Sequence, residues 1–166
     1  MGCGKSTVGK ALSEVLHYDF IDLDQKMEAQ KGKSIADIFE MEGEENFRLC
    51  EHQLLLEILK SKGNTIIACG GGTACFHNNM EVLNRQSATI YLQTSVDVLL
   101  ENLQAQTTHR PLLKNKSGEE LRGYVETILS KREPFYSQAK LIVSTENKIT
   151  DEIVSEILNR VHRLES

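Results

Sequence analysis

The chain has 166 residues, 40% of them hydrophobic and 26% charged, with a formal net charge of −5. That length suits one domain with a real core, and mild acidity without any dense Lys/Arg stretch argues against a nucleic-acid groove or an anionic membrane surface, leaving small molecules as the expected partners. Cys3, Cys50, Cys69 and Cys75 lack the paired spacing of a zinc site, and no signal sequence or membrane-length apolar run is seen, so reduced thiols and a cytoplasmic location are expected.

The chain opens with MGCGKSTVGK. Gly4-Lys5-Ser6 is the closing half of the phosphate-binding pattern G-x-x-x-x-G-K-[ST], in which backbone N–H groups and a helix N-terminus surround phosphates, lysine neutralises the β/γ charge and the hydroxyl binds Mg²⁺. The opening glycine of that pattern would fall two residues before Met1, and the strand that should feed the loop is absent with it. Gly2, Gly4 and Gly9 supply permissive backbone. Val8, Ala11, Leu12, Val15 and Leu16 then repeat at helical spacing, so a helix starts where phosphates need one.

Tyr18 to Asp22 reads as a short strand, followed by Leu23-Asp24 and helical residues. Asp22 and Asp24 are two apart, which in extended chain puts both carboxylates on one side. One can join Ser6 in holding Mg²⁺ while the other reaches an acceptor hydroxyl; the plain alternative is an acid-rich turn at a strand end. Ser34, with Asp37 three places on, predicts an N-cap for a short helix from Ile35 to Met41, which Gly43 breaks. A longer helix follows from Glu44 to Lys62, with Arg48 in its first turn and Glu51 three residues later. That spacing allows either an ordinary exposed ion pair or an arginine fork held ready for a substrate carboxylate.

Thr65 to Cys69 is an apolar strand ending in Gly70-Gly71-Gly72, and bare backbone at the carboxyl end of a parallel strand suits close contact with a small substrate. Asn79 to Arg85 predicts a helix and Ala88 to Leu92 a strand. Thr94 or Ser95 caps the next helix, through Leu103. The polar stretch from Gln104 to Lys116 contains His109-Arg110-Pro111 and reads as a loop whose arginine could close over a transferring phosphate. Ser117 to Glu120 has the capping-box pattern, and the helix it opens runs past Lys131 and Arg132 until Pro134 perturbs its end. Lys140 to Ser144 is the last strand, and Ile153, Val154, Ile157, Leu158, Val161 and Leu164 mark the core face of a final helix. Strands alternating with helices predict an α/β protein, a parallel sheet with helices on both faces.

The series GCGKST, F-I-D-L-D, F-R-x-x-E, G-G-G, R-P-L-L and K-R-E-P-F-Y, in this order along the chain, closely resembles the shikimate kinase family. The resemblance implies a three-layer α/β/α fold with a five-stranded parallel sheet, whose first, central strand is missing from this chain. It also implies a single P-loop kinase domain over 1–166, with a substrate-binding helical region at about 23–62 and a lid loop at about 104–116. The implied reaction transfers the γ-phosphoryl of MgATP to the 3-hydroxyl of shikimate, on the route to chorismate and the aromatic amino acids. By the same resemblance, Gly2, Cys3, Gly4, Lys5, Ser6 and Thr7 fall on the nucleotide loop, with Ser6 and Asp22 on the Mg²⁺ side. Asp24 falls on the acceptor hydroxyl, Arg48 and Arg132 on the shikimate carboxylate, and Gly70, Gly71 and Gly72 on backbone contacts to substrate. Glu51 orients Arg48, and Arg110 is the lid arginine. Lys5, Asp24 and Arg110 would then form the catalytic set, in a monomer that binds ATP, Mg²⁺ and shikimate. The sequence departs from the family beside the lid and at Thr145 to Lys148, so that Lys148 is a weak candidate for an adenine-side contact. Two other readings remain: a second small-molecule kinase such as a gluconate kinase, and a non-catalytic P-loop binding protein derived from a kinase.

Overall fold

The computed structural model describes residues 2–61, 63–105 and 118–163. They form two compact units, Ser6–Ala88 and Met1–Lys5 with Thr89–Ser166. Every strand in both is parallel to its neighbour.

In the first unit, helix α1 (Lys5–Leu16) leads to β1 (Asp19–Asp22), α2 (Leu23–Lys31), α3 (Ile35–Lys60), β2 (Thr65–Ala68), a 3₁₀ turn (Thr73–Cys75) and α4 (Asn79–Gln86). β1 pairs with β2 in register from Asp19 opposite Thr65 to Asp22 opposite Ala68. Gly9 lies inside α1 rather than in the loop, and a Cβ there would come within 2.7 Å of the Phe20 ring, so this glycine serves close helix–strand packing. Ser34 and Asp37 form the expected capping box, a device that contributes about 1 kcal/mol. Gly43 adopts φ 78 and ψ 166 and breaks the helical path inside α3, as its position predicted. Leu23, Met27, Ile38, Phe47, Leu54 and Ile58 pack together as the core between α2 and α3.

The two-residue spacing of Asp22 and Asp24 does not put both on one strand face. Asp24 is not in extended chain, because α2 begins at Leu23, immediately after the strand. Asp22 is the N-cap of that helix, accepting from the Gln25 N–H at 3.3 Å, and Asp24 lies in its first turn.

The second unit contains β3 (Ile90–Gln93), α5 (Val96–Ala105), α6 (Gly118–Tyr136), β4 (Leu141–Ser144) and α7 (Thr150–His162). β3 pairs with β4 from Ile90 opposite Leu141 to Gln93 opposite Ser144. The described strands thus form two two-stranded sheets, with no fifth strand among the described residues. Leu99, Leu100, Leu103, Leu121 and Val125 join α5 to α6. The lid loop, from residue 106 onward, and its Arg110 lie outside the described residues, as does Ser117.

Pro134 does not end α6, which continues to Tyr136. A proline this close to a helix end removes one backbone hydrogen bond, and the turn is held from outside. Tyr91 Oη donates to Glu133 Oε2 at 2.8 Å, and the Tyr91 and Tyr136 rings stand 5.1 Å apart. Burial, and then the hydrogen bond to the Glu133 carboxylate, push the Tyr91 phenol well above its ordinary range. The native state therefore favours the neutral phenol. Its contribution is complete below about pH 10 and is lost as the pH rises further, because tyrosine in the unfolded chain ionises first. Tyr91→Phe should lower stability by about 1 kcal/mol at neutral pH. It should also flatten the alkaline limb in urea titrations run across about pH 9 to 11; a limb as steep as that of the parent protein would clear Tyr91 of this role.

Candidate active site

Within the unit Ser6–Ala88, Ser6 in the first turn of α1 donates to Asp22 Oδ2 at 2.6 Å. Asp22 is the residue at which β1 ends and α2 starts, so its carboxylate caps one helix while meeting the first turn of another. Both groups are hard oxygen donors, the type that suits Mg²⁺. Asp24, exposed on α2, is turned instead toward the glycine turn. A Cβ on Gly70 would lie 2.7 Å from Asp24 Oδ1, 3.0 Å from Glu51 Oε1 and 3.1 Å from Thr73 Oγ1. Three oxygens from α2, α3 and the 3₁₀ turn therefore converge on one point.

Arg48 and Glu51, three apart on α3, form a buried ion pair with Nη1 donating to Oε2 at 2.8 Å. The exposed-pair alternative is excluded by their burial, 7% and 1% exposed. Phe39, Phe47 and Phe76 surround the guanidinium, with ring centroids 5.5, 4.9 and 4.6 Å from Cζ, a cation–π arrangement. Its Nε is buried with no hydrogen-bond partner among the described residues and stands 3.5 Å from Glu44 Oε1. A Cβ on Gly72 would collide with the guanidinium, so only glycine lets Arg48 lie against this backbone. The result is a fork fixed in position beside an exposed carboxylate, able to hold an anionic group while Asp24 meets a hydroxyl.

The sequence drew attention to Arg48, Glu51, Asp24 and the glycine triplet, which the fold brings together. It gave no notice of Phe39, Phe76 or Thr73 in the site. Thr73 carried one overlooked signal, a hydroxyl directly after the glycines.

In the other unit, Gly2 and Gly4 adopt φ 71 and 79, the left-handed conformation that favours glycine. Asn102 Nδ2 of α5 donates to the Gly2 carbonyl at 2.6 Å and props the loop. Cys3 packs against the α5–α6 apolar cluster, so it acts as a small filler there. Lys5 is half-buried at the start of α1, while Thr7, which belongs to the first unit, is exposed on that helix. Arg132 is half-buried on α6, next to the Glu133 that Tyr91 holds. The Lys148 ammonium is already engaged, donating to Ser144 O at 3.0 Å and to Glu156 Oε2 at 2.7 Å.

Within Ser6–Ala88, a hydroxyl in the first turn of a helix, a clamped arginine and an acid on parallel α/β supports are the equipment of a small-molecule kinase. The chain matches the family model described as shikimate kinase over residues 1–162 and belongs to the shikimate kinase family. It is 40% identical over 161 residues to the shikimate kinase of Azobacteroides pseudotrichonymphae, covering 97% of this chain and 95% of that one. The Parabacteroides distasonis shikimate kinase is 40% identical over 164 residues, covering 99% and 94%. The crystal structure of shikimate kinase from Bacteroides thetaiotaomicron is similar with a TM-score of 0.93 at 35% identity, over 98% of this chain and 94% of that one. A shikimate kinase from Acinetobacter baumannii in complex with shikimate gives 0.88 at 32%, over 98% and 89%. The fold class is the three-layer α/β/α arrangement that the alternation predicted. A gluconokinase from Sinorhizobium meliloti, at 22% identity and a TM-score of 0.64, shares the fold alone.

Removing one member of a buried ion pair strands the other's charge. Glu51→Ala should therefore lower unfolding stability by about 3 kcal/mol, read from chemical denaturation; a loss below about 1 kcal/mol, the value of an exposed pair, would contradict the buried clamp.

Proposed function

We propose that the protein transfers the γ-phosphoryl of ATP to the 3-hydroxyl of shikimate, giving shikimate 3-phosphate and ADP. The observation that carries this is the buried Arg48–Glu51 clamp set against the glycine turn beside Asp24. Shikimate is a rigid ring with one carboxylate and three hydroxyls. An arginine fork can fix its orientation through the carboxylate, and an acid can then direct a single hydroxyl. Arg48 and Arg132 hold the carboxylate, the backbone at Gly70, Gly71 and Gly72 lines the ring, and Asp24 accepts the hydroxyl proton as the oxygen attacks.

The phosphates of ATP lie on the loop from Gly2 to Thr7, with Lys5 and the lid residue Arg110 stabilising the transferring group. Ser6 and Asp22 offer oxygen-only donors that fit Mg²⁺; when bound, the ion neutralises charge on the β- and γ-phosphates. Because phosphoryl transfer asks mainly for positioning and charge stabilisation, these groups suffice without a covalent intermediate. A single kinase domain, with 23–62 as the acceptor side and 104–116 as lid, belongs to the same proposal. So do a cytoplasmic location and a monomeric state, and the four free cysteines favour the reducing compartment. No helix among the described residues is long and apolar enough to cross a membrane.

ADP release with MgATP and shikimate, with the product identified by mass spectrometry, tests this directly; turnover with gluconate instead would assign a different acceptor, and turnover with neither would leave a nucleotide-binding protein. Arg110→Ala should lower kcat by about a hundredfold or more, with shikimate binding changed far less. An unchanged kcat would take Arg110 out of the catalytic set.

A further inference from the structure

Behind the Arg48–Glu51 pair runs a line of buried polar groups with no part in the chemistry above. Thr73 Oγ1 donates to Glu51 Oε1 at 2.6 Å. Asn79 Nδ2 donates to the Thr73 carbonyl at 2.8 Å, and Asn79 Oδ1 meets His52 Nδ1 at 2.5 Å. Thr73 and Asn79 are wholly buried. Since the Asn79 amide nitrogen is the donor to Thr73, its oxygen must accept, and His52 Nδ1 carries the proton. The His52 ring packs on His77 at 5.3 Å. Glu51 and His52 are consecutive on α3, so two neighbouring residues of that helix are tied to the segment after the glycine turn. Thr73 N and Cys75 N also bind the Gly70 and Gly72 carbonyls at 3.2 and 2.9 Å, so the turn that carries Thr73 also shapes the backbone under the Arg48 guanidinium.

A carboxylate held only by Arg48 could rotate with it. With its second oxygen fixed by a buried hydroxyl, the carboxylate plane is set, and the guanidinium plane with it. We propose, resting on the shikimate reading above, that Thr73 is a positioning residue for the acceptor carboxylate, acting through Glu51 on Arg48, and that Asn79 and His52 hold Thr73 in that role. It touches no substrate. Its effect falls on recognition of the acceptor and leaves nucleotide binding and phosphoryl transfer alone.

Thr73→Val preserves shape and removes the donor, while Thr73→Ser keeps the donor. Thr73→Val should raise the shikimate KM by about tenfold, with kcat and the ATP KM within about threefold of the parent, and Thr73→Ser should restore the parent value to within about twofold. His52→Phe keeps ring packing on His77 and loses the Nδ1 donor; it should raise the same KM by about threefold. Independently of any acceptor, ¹⁵N NMR of the arginine guanidinium should show distinct, slowly exchanging Arg48 resonances that collapse toward those of free arginine in Thr73→Val. An unchanged shikimate KM with unchanged Arg48 resonances would overturn the role. A rise in both KM values without rescue by serine would also overturn it, in favour of a general packing role. If Thr73→Val does not fold, Asn79→Ala carries the same expectations for KM and for the Arg48 resonances. Absence of shikimate turnover in the parent protein would defeat the acceptor reading alone, because the NMR comparison still decides the relay.

Discussion

The buried ion pair between Arg48 and Glu51 is the interaction around which the glycine turn and its neighbours are arranged. Taking both charges out of water costs several kcal/mol before their attraction is counted, and an apolar pair of similar volume is often as stable or more so. Stability therefore gives little reason for the pair. Its surroundings give a better one: three aromatic rings stand around the guanidinium, a threonine hydroxyl holds the carboxylate, and a glycine makes room for the fork. These groups hold the arginine against the glycine turn, with its Nε 3.5 Å from Glu44 Oε1. Orientation matters more than net stabilisation where one planar anion must be held in a single register.

The start of one helix sends the two aspartates to different neighbours. Asp22 is fixed at the junction of β1 and α2, with one oxygen on the Gln25 N–H and the other on the Ser6 hydroxyl. Asp24, two residues later, has entered the helical path, and its side chain goes toward the glycine turn. Had the strand continued through residue 24, both carboxylates would share one face and compete for the same cation. The early helix start separates a carboxylate held by the Ser6 hydroxyl from one set against the glycine turn.

Much of this was legible because local rules set it. The Ser34–Asp37 capping box, the Gly43 break, the apolar face of α5 and, in α7, Ile153, Val154 and Ile157 depend on residues within a turn of one another, and the structure has them where the spacing put them; Leu164 lies outside the described residues. The Arg48–Glu51 contact was equally local, but its surroundings were not, because Phe76 and Thr73 come from the segment after β2 and Phe39 from the far side of the Gly43 break. Thr73 to Glu51 spans 22 residues and Asn79 to His52 spans 27, separations over which one sequence carries no pairing information. Lys148, a weak candidate by resemblance alone, has partners that local spacing does not announce: its ammonium donates to the Ser144 carbonyl and to the Glu156 carboxylate. Pro134 looked like a helix end because propensity ignores Tyr91, whose hydroxyl and ring hold the last turn from a neighbouring strand.

The glycine triplet shows how the same sequence signal can be right for a reason the sequence does not contain. Bare backbone at the end of β2 pointed to room for a ligand. In the structure, much of that room is taken by the protein's own functional groups: a side chain at Gly70 would displace the oxygens of Asp24, Glu51 and Thr73, and one at Gly72 would displace the Arg48 guanidinium. Two of the three glycines are thus needed before any substrate arrives, because they let an acid and an arginine from different helices converge on one short turn. An arrangement built this way is assembled by folding: the Arg48 guanidinium is already desolvated and aimed, the exposed Asp24 carboxylate is set beside it, and little reorganisation would remain for a binding step.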